Sequence, residues 1–123
     1  MSRVTILGIY VVDVAFFAPR LPNIGETILG DDFKAGPGGK GGNQAVAAAR
    51  AGAAVTFVSR IGDDDFGRQA RAAWTADGID ATLVTASETS PTGSAFIFVD
   101  SKTGDNAIIV APGTSCRHQI HDG

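Results

Sequence analysis

The ten residues Ala35-Gly36-Pro37-Gly38-Gly39-Lys40-Gly41-Gly42-Asn43-Gln44 carry most of the chemistry that can be read from this chain. Five glycines let the backbone turn freely and let a ligand come close to the main chain. An alanine-rich run, Ala45-Val46-Ala47-Ala48-Ala49-Arg50, follows directly and has strong helix propensity. A helix that begins here leaves its first amide N–H groups free to donate to a ligand oxygen. Lys40 brings a mobile positive charge, and Asn43 offers a donor and an acceptor at the helix start. This loop suits an oxygen-rich small molecule better than it suits a flexible linker, because linkers seldom run straight into a helix former.

Two phosphate-binding motifs can be set aside. A P-loop around Lys40 would need glycine where Lys34 stands and Ser or Thr where Gly41 stands. Gly36-x-Gly38-x-x-Gly41 fits the dinucleotide pattern formally. That pattern requires an apolar strand just before it, and here Gly30-Asp31-Asp32-Phe33-Lys34 is too polar.

Strands and helices that could position this loop alternate along the chain. Residues 4–12 read as a buried strand and 27–33 as a short polar one. Residues 43–51 read as a helix closed by Gly52, and 55–59 as a second buried strand. Residues 64–77 form the next predicted helix, closed by Gly78, with Phe66, Ala70, Ala73 and Trp74 at helical spacing. Strands are expected over 81–87, 93–100 and 106–110, the last two paired as a hairpin across Lys102-Thr103-Gly104-Asp105. The order predicts an α/β core carrying a small β-sheet.

Composition narrows the function classes. The 123 residues make one domain at most, 44% of them hydrophobic, with a formal net charge of -3 that gives no footprint for nucleic acid. A single cysteine, Cys116, excludes an internal disulfide framework. The apolar start is interrupted by Gly8 and closed by Asp13, so no membrane partner or secretory segment is expected, and the chain reads as cytoplasmic. Asp63-Asp64-Asp65 favours the positive end of a helix over a metal cluster. Cys116, His118 and His121 have ligand-like spacing but lack a fourth partner, so no metal site is expected. Phe96 and Phe98 alternate with Ala95, Ile97 and Val99, which suits a strand covered on both faces.

Several landmarks in order give the chain a family resemblance. Gly8-x-x-x-x-Asp13 is followed by Pro22-Asn23-Ile24-Gly25-Glu26-Thr27, then by Gly38-Gly39-Lys40-Gly41-Gly42-Asn43-Gln44-Ala45. Next come Gly62-Asp63-Asp64-Asp65-Phe66-Gly67 and Thr92-Gly93-Ser94-Ala95. Together they resemble the N-terminal part of the ribokinase-like carbohydrate kinases, the phosphofructokinase B family, from residue 4 to about residue 115. The fold implied is an incomplete ribokinase-like (Rossmann-like) α/β core with a small β-sheet lid. Residues 1–115 would be the N-terminal sugar-binding part and lid, and 116–123 a divergent tail after an apparent truncation.

The resemblance also implies a sugar site. Asp13, at the end of the first strand, would accept hydrogen bonds from substrate hydroxyls, as an ionised carboxylate is well suited to do. Gly38 and Gly39 would present backbone amides, and Lys40 and Asn43 would complete the ring of donors and acceptors. Taken singly, Asp13 could cap a turn, Lys40 could be a solvated charge and Asn43 a helix cap. Where ribose-reading members carry an asparagine two residues before the aspartate, this chain has Val11, so the sugar and the phosphorylated hydroxyl stay open.

In the parent family ATP and Mg²⁺ take part, and a general base in the C-terminal half activates the sugar hydroxyl. No such motif occurs here, so the chain is expected to carry no catalytic residue and to bind neither cofactor alone. The parent reaction is ATP-dependent phosphorylation of a sugar. Alternatives for this chain are a non-catalytic sugar-binding module, association through lid strands as a homodimer, or a non-functional gene remnant.

Overall fold

A computed structural model of the protein describes residues 2–115. Among the described residues the named strands and helices are β1 (Arg3–Leu7), β2 (Val11–Ala18), β3 (Asp32–Gly38), α1 (Lys40–Arg50), β4 (Ala54–Val58), β5 (Arg60–Gly62), α2 (Asp65–Ala76), β6 (Thr85–Ser87), β7 (Gly93–Asp100) and β8 (Asn106–Ala111). They divide into an α/β core and a four-stranded lid. In the core, β1 and β4 pair in parallel from Arg3↔Ala54 to Leu7↔Val58, and the short β5 and β6 also pair in parallel. The lid has strand order β3-β2-β7-β8.

The core is built around aromatic side chains. Trp74 of α2 and Phe57 of β4 are completely buried, and Tyr10 is 1% exposed. Trp74 meets both neighbours edge to face, with centroids 5.2 Å from Tyr10 and 5.3 Å from Phe57. Such pairs add roughly 0.5–1.5 kcal/mol each beyond their buried area. Ala45, Val55, Ile61, Ala70, Ile79 and Val84 fill the space around them. Phe66 departs from the helical-spacing expectation and is 39% exposed, while Ala70 and Trp74 carry the buried face of α2.

Both helices stop where the sequence predicts. Gly52 and Gly78 follow them with φ of 99° and 70°, a region that disfavours side chains. Asp64 caps α2 by accepting from the Gly67 amide at 2.8 Å. Burial works against the Asp64 charge, but bonds from Thr92 and Gly67 hold its carboxyl below the usual carboxylate range.

Three elements differ from the sequence expectation. The apolar run 4–12 is two elements, because the chain leaves the core sheet after Leu7 and enters the lid at Val11. Gly8 marks the departure: a Cβ there would come within 2.8 Å of the Gly41 Cα, so the helix backbone approaches the strand end directly. The strand expected over 27–33 lies instead at Asp32–Gly38. Pairing with β2 therefore overrides the glycine-rich composition of residues 35–38, and Pro37 is tolerated because β3 is an edge strand. The strand expected over 81–87 shortens to Thr85–Ser87, since Asp80 accepts from the Thr82 amide and hydroxyl and turns the chain first. The predicted hairpin between β7 and β8 is present, with Phe96 opposite Ile109. Residues 116–123, with Cys116, His118 and His121, lie outside the described residues.

Candidate functional site

Asp13 stands on the lid, as the third residue of β2, rather than at the end of the first strand. Its register partners are Gly36 on β3 and Ala95 on β7. Diagonally across from it is Gly38, and the Asp13 carboxylate occupies the space that a side chain at Gly38 would fill. Gly38 is therefore a steric requirement of the carboxylate's position. Asp13 is half-buried, and burial pushes its carboxyl above the ordinary 3.8 with no hydrogen bond from a described residue to offset it. A carboxylate held in this way lacks the partners that its charge needs. Beneath it, the Tyr10 phenol is pushed up to about 12, first by burial and then by the Asp13 charge.

The chain then passes from lid to core in a single residue. Gly39 has φ 81° and ψ 146°, and a Cβ on it would come within 2.7 Å of the Ile9 carbonyl oxygen. This close approach on a positive φ makes glycine the fitting residue there. Gly39 is also the N-terminal flanking residue of α1 and offers no side-chain cap. Lys40 is the first helical residue and is exposed. The Gly42 amide donates to the Ile9 carbonyl at 3.3 Å and the Asn43 amide to the Gly39 carbonyl at 2.9 Å. The amides of Lys40 and Gly41 have no intrahelical acceptor, as at any helix start.

The structure thus brings Asp13, Gly38, Gly39 and Lys40 together across one lid–core crossing. Asn43 sits one turn into α1, is exposed, and is not an N-cap. It borders a groove of about 510 Å³ with Pro37, Val46, Arg50 and Asp77 between the two helices. Val11 lies on the same sheet face as Asp13, two residues away, and is 5% exposed against Ala95.

A second cavity, about 330 Å³, opens at the C-terminal ends of β1 and β4 between Leu7, Gly8, Ser59, Arg60 and Thr85. The Ser59 hydroxyl is buried there without a hydrogen-bond partner among the described residues. Asp13 borders neither this cavity nor the helix groove. The sequence reading missed this cavity, although the carboxyl ends of parallel strands are where open α/β sheets commonly take ligands. Among the described residues no group of three or more His, Cys, Asp or Glu side chains is clustered for a metal ion. No helix among them is long and apolar enough to cross a membrane.

The family described as pfkB family carbohydrate kinase matches residues 1–121. The chain is 41% identical over 114 residues to a ribokinase of Haemophilus influenzae, an alignment covering 93% of this chain and 37% of the other. Among solved structures it is similar to ribokinase of Arabidopsis thaliana complexed with ribose and ATP, with TM-score 0.81 and 32% identity, covering 91% of this chain and 36% of that one. Ribokinase from Giardia lamblia gives a TM-score of 0.84 at 32% identity, covering 93% and 37%. The chain spans little more than a third of the length of these relatives.

Proposed function

Because this chain belongs to the pfkB family of carbohydrate kinases, we propose that it provides the sugar-recognition half and the lid of an ATP-dependent sugar kinase. The observation that carries this reading is the half-buried Asp13 carboxylate, which has no hydrogen-bond partner among the described residues and stands against Gly38. Two neighbouring sugar hydroxyls would donate to it and supply the missing hydrogen bonds. The Gly38–Gly39 backbone and the Lys40 ammonium would address other oxygens of the same ring. Asn43, one turn further along α1 and bordering the helix groove, would add its side-chain amide to the same ring. Pentoses are the first sugars to test, since the relatives named above are ribokinases. Val11 offers an apolar wall where a hydrogen-bonding residue would otherwise read the ring, which makes ribose one member of a panel.

ATP and Mg²⁺ supply the phosphoryl group and its charge compensation in the reaction proposed. Among the described residues no group of three or more His, Cys, Asp or Glu side chains is clustered for Mg²⁺, and the nucleotide cradle and the general base are assigned to sequence of the kind that relatives carry beyond the matched span. The test joins this chain to the remaining segment of the Haemophilus ribokinase and follows ADP release. Sugar-dependent turnover is expected from the chimera and none from the chain alone. A folded chimera that binds ATP but ignores every sugar would overturn the reading.

Association through the lid is a second reading, favoured by one observation. On the face opposite Asp13, Phe33, Phe16, Phe96 and Ile109 form an apolar row across all four strands, with Phe33 63% and Ile109 68% exposed. The Phe16 ring lies 6.2 Å from Phe33 and 5.6 Å from Phe96 between centroids. An exposed apolar row of this kind favours pairing of two lids. Sedimentation velocity is expected to show dimers that Ile109→Lys converts to monomers. A monomer at all concentrations would exclude this reading.

A further inference from the structure

The lid joins the core through four chain crossings, and the polar contacts at these crossings are unequal. At the entry to β2, the Ser115 hydroxyl accepts from the Tyr10 amide at 3.3 Å and donates to the Tyr10 carbonyl at 3.2 Å. Past the end of β8, Thr114 accepts from the Arg60 Nε at 3.0 Å. The crossing out of β3 passes through Gly38 and Gly39, which have no side chains to tether.

The crossing into β7 is tied far more densely. Thr92, 5% exposed, donates its amide to Asp64 Oδ2 at 2.9 Å and its hydroxyl to Asp64 Oδ1 at 2.7 Å. The same hydroxyl accepts from the Gly62 amide at 2.9 Å. Asp64 Oδ1 also holds the Gly67 amide, so this carboxylate caps a core helix and grips the lid's root together. There is no slack in the knot: a Cβ at Gly62 would lie 2.5 Å from both Asp64 Oδ2 and the Thr92 nitrogen.

Thr92 immediately precedes β7, whose parallel register sets Gly93 beside Val11 and Ala95 beside Asp13. The position of Thr92 therefore sets the height of Asp13 through three residues of paired strand. Resting on the reading of Asp13 as the sugar-binding carboxylate, we propose that Asp64 and Thr92 are positioning residues. They form a fixed pivot that sets where the lid carries Asp13 relative to the start of α1.

The test separates the pivot from the helix cap. Thr92→Val removes the hydroxyl but leaves Asp64 on the Gly67 amide, Thr92→Ser restores the hydroxyl, and Asp64→Ser keeps a cap too short for both Thr92 donors. With Cys116 replaced by Ser, spin labels at Ala47→Cys on α1 and Lys102→Cys in the lid turn report the core–lid distance. The parent chain is expected to give one narrow distribution. Thr92→Val and Asp64→Ser should broaden it about twofold, and Thr92→Ser should return it to the parent width with helix content unchanged. A distribution in Thr92→Val as narrow as the parent's would overturn the pivot.

Hydrogen exchange on the unsubstituted chain covers the case of a variant that unfolds. The Thr92 amide should exchange about tenfold more slowly than the Ile109 amide of the lid, and equal rates would overturn the pivot. Adding ribose to the labelled parent chain keeps the two readings apart. A narrow distribution with no sugar affinity would count against the Asp13 site and leave the pivot standing.

Discussion

Replacing Asp13 by Asn is expected to weaken sugar recognition and stabilise the fold at the same time. Hydrogen bonds to a charged group contribute about 1.5–3 kcal/mol each, so the loss in kcat/KM of the chimera should be about 10- to 150-fold. Lys102→Ala, in the exposed turn between β7 and β8, should stay within about 0.5 kcal/mol of the parent. The gain in stability follows from the sign of the proton linkage. Burial raises the Asp13 carboxyl above 3.8, so the folded chain binds that proton more tightly than the unfolded chain does. The ionised carboxylate then opposes folding at neutral pH, and the opposition fades as pH falls through the folded value. Asp13→Asn should melt higher than the parent at pH 7, with the gap closing as pH drops toward 3.8. Equal melting temperatures at pH 7 would remove the claim that Asp13 is held at the expense of stability. Equal kcat/KM would remove it from the site.

Trp74→Ala should unfold most of the chain. Its ring is fully buried between Tyr10 and Phe57, and Trp or Phe to Ala changes in such positions cost about 3–5 kcal/mol. Domains of this size commonly hold only about 5–15 kcal/mol in total. The indole N–H has no hydrogen-bond partner among the described residues, so Trp74→Phe loses packing volume but removes a buried unpaired donor. It should fall much less. Phe16→Ala, on the lid surface at 44% exposure, is the contrasting site and should lose little. Urea unfolding followed by circular dichroism ranks the three. A Trp74→Ala chain as stable as Phe16→Ala would show that the core is organised elsewhere.

The glycine turn of the candidate site was legible in the sequence, whereas its placement between core and lid was only partly so. Gly38, Gly39 and Lys40 announce a turn into a helix because glycine and a helix start have local physical meanings that need no tertiary context. Gly52 and Gly78 mark helix ends for the same reason. A core with a small lid was expected, but the point where the chain leaves one for the other was not visible, because residues 4–12 are apolar on both sides of Gly8. The pairings reveal that the chain changes sheets there, since β1 pairs with β4 whereas β2 pairs with β3 and β7. Asp13 was consequently placed at the end of a core strand instead of on the lid. The strand β3 was hidden as well, since its glycines and Pro37 argue for a loop until β2 lies alongside. The double grip of Asp64 on α2 and Thr92 is a long-range bond between two landmarks that looked independent in sequence.

The measurement that bears most directly on the central claim is a sugar titration of this chain followed by backbone amide chemical shifts. Ribose and a panel of other pentoses and hexoses would each be added to saturation. Saturable shifts are expected at Asp13, Gly38, Gly39 and Lys40 for at least one sugar, and none of them in Asp13→Asn at the same concentration. Shifts confined to Leu7, Gly8, Ser59 and Arg60, around the cavity at the ends of β1 and β4, would contradict it.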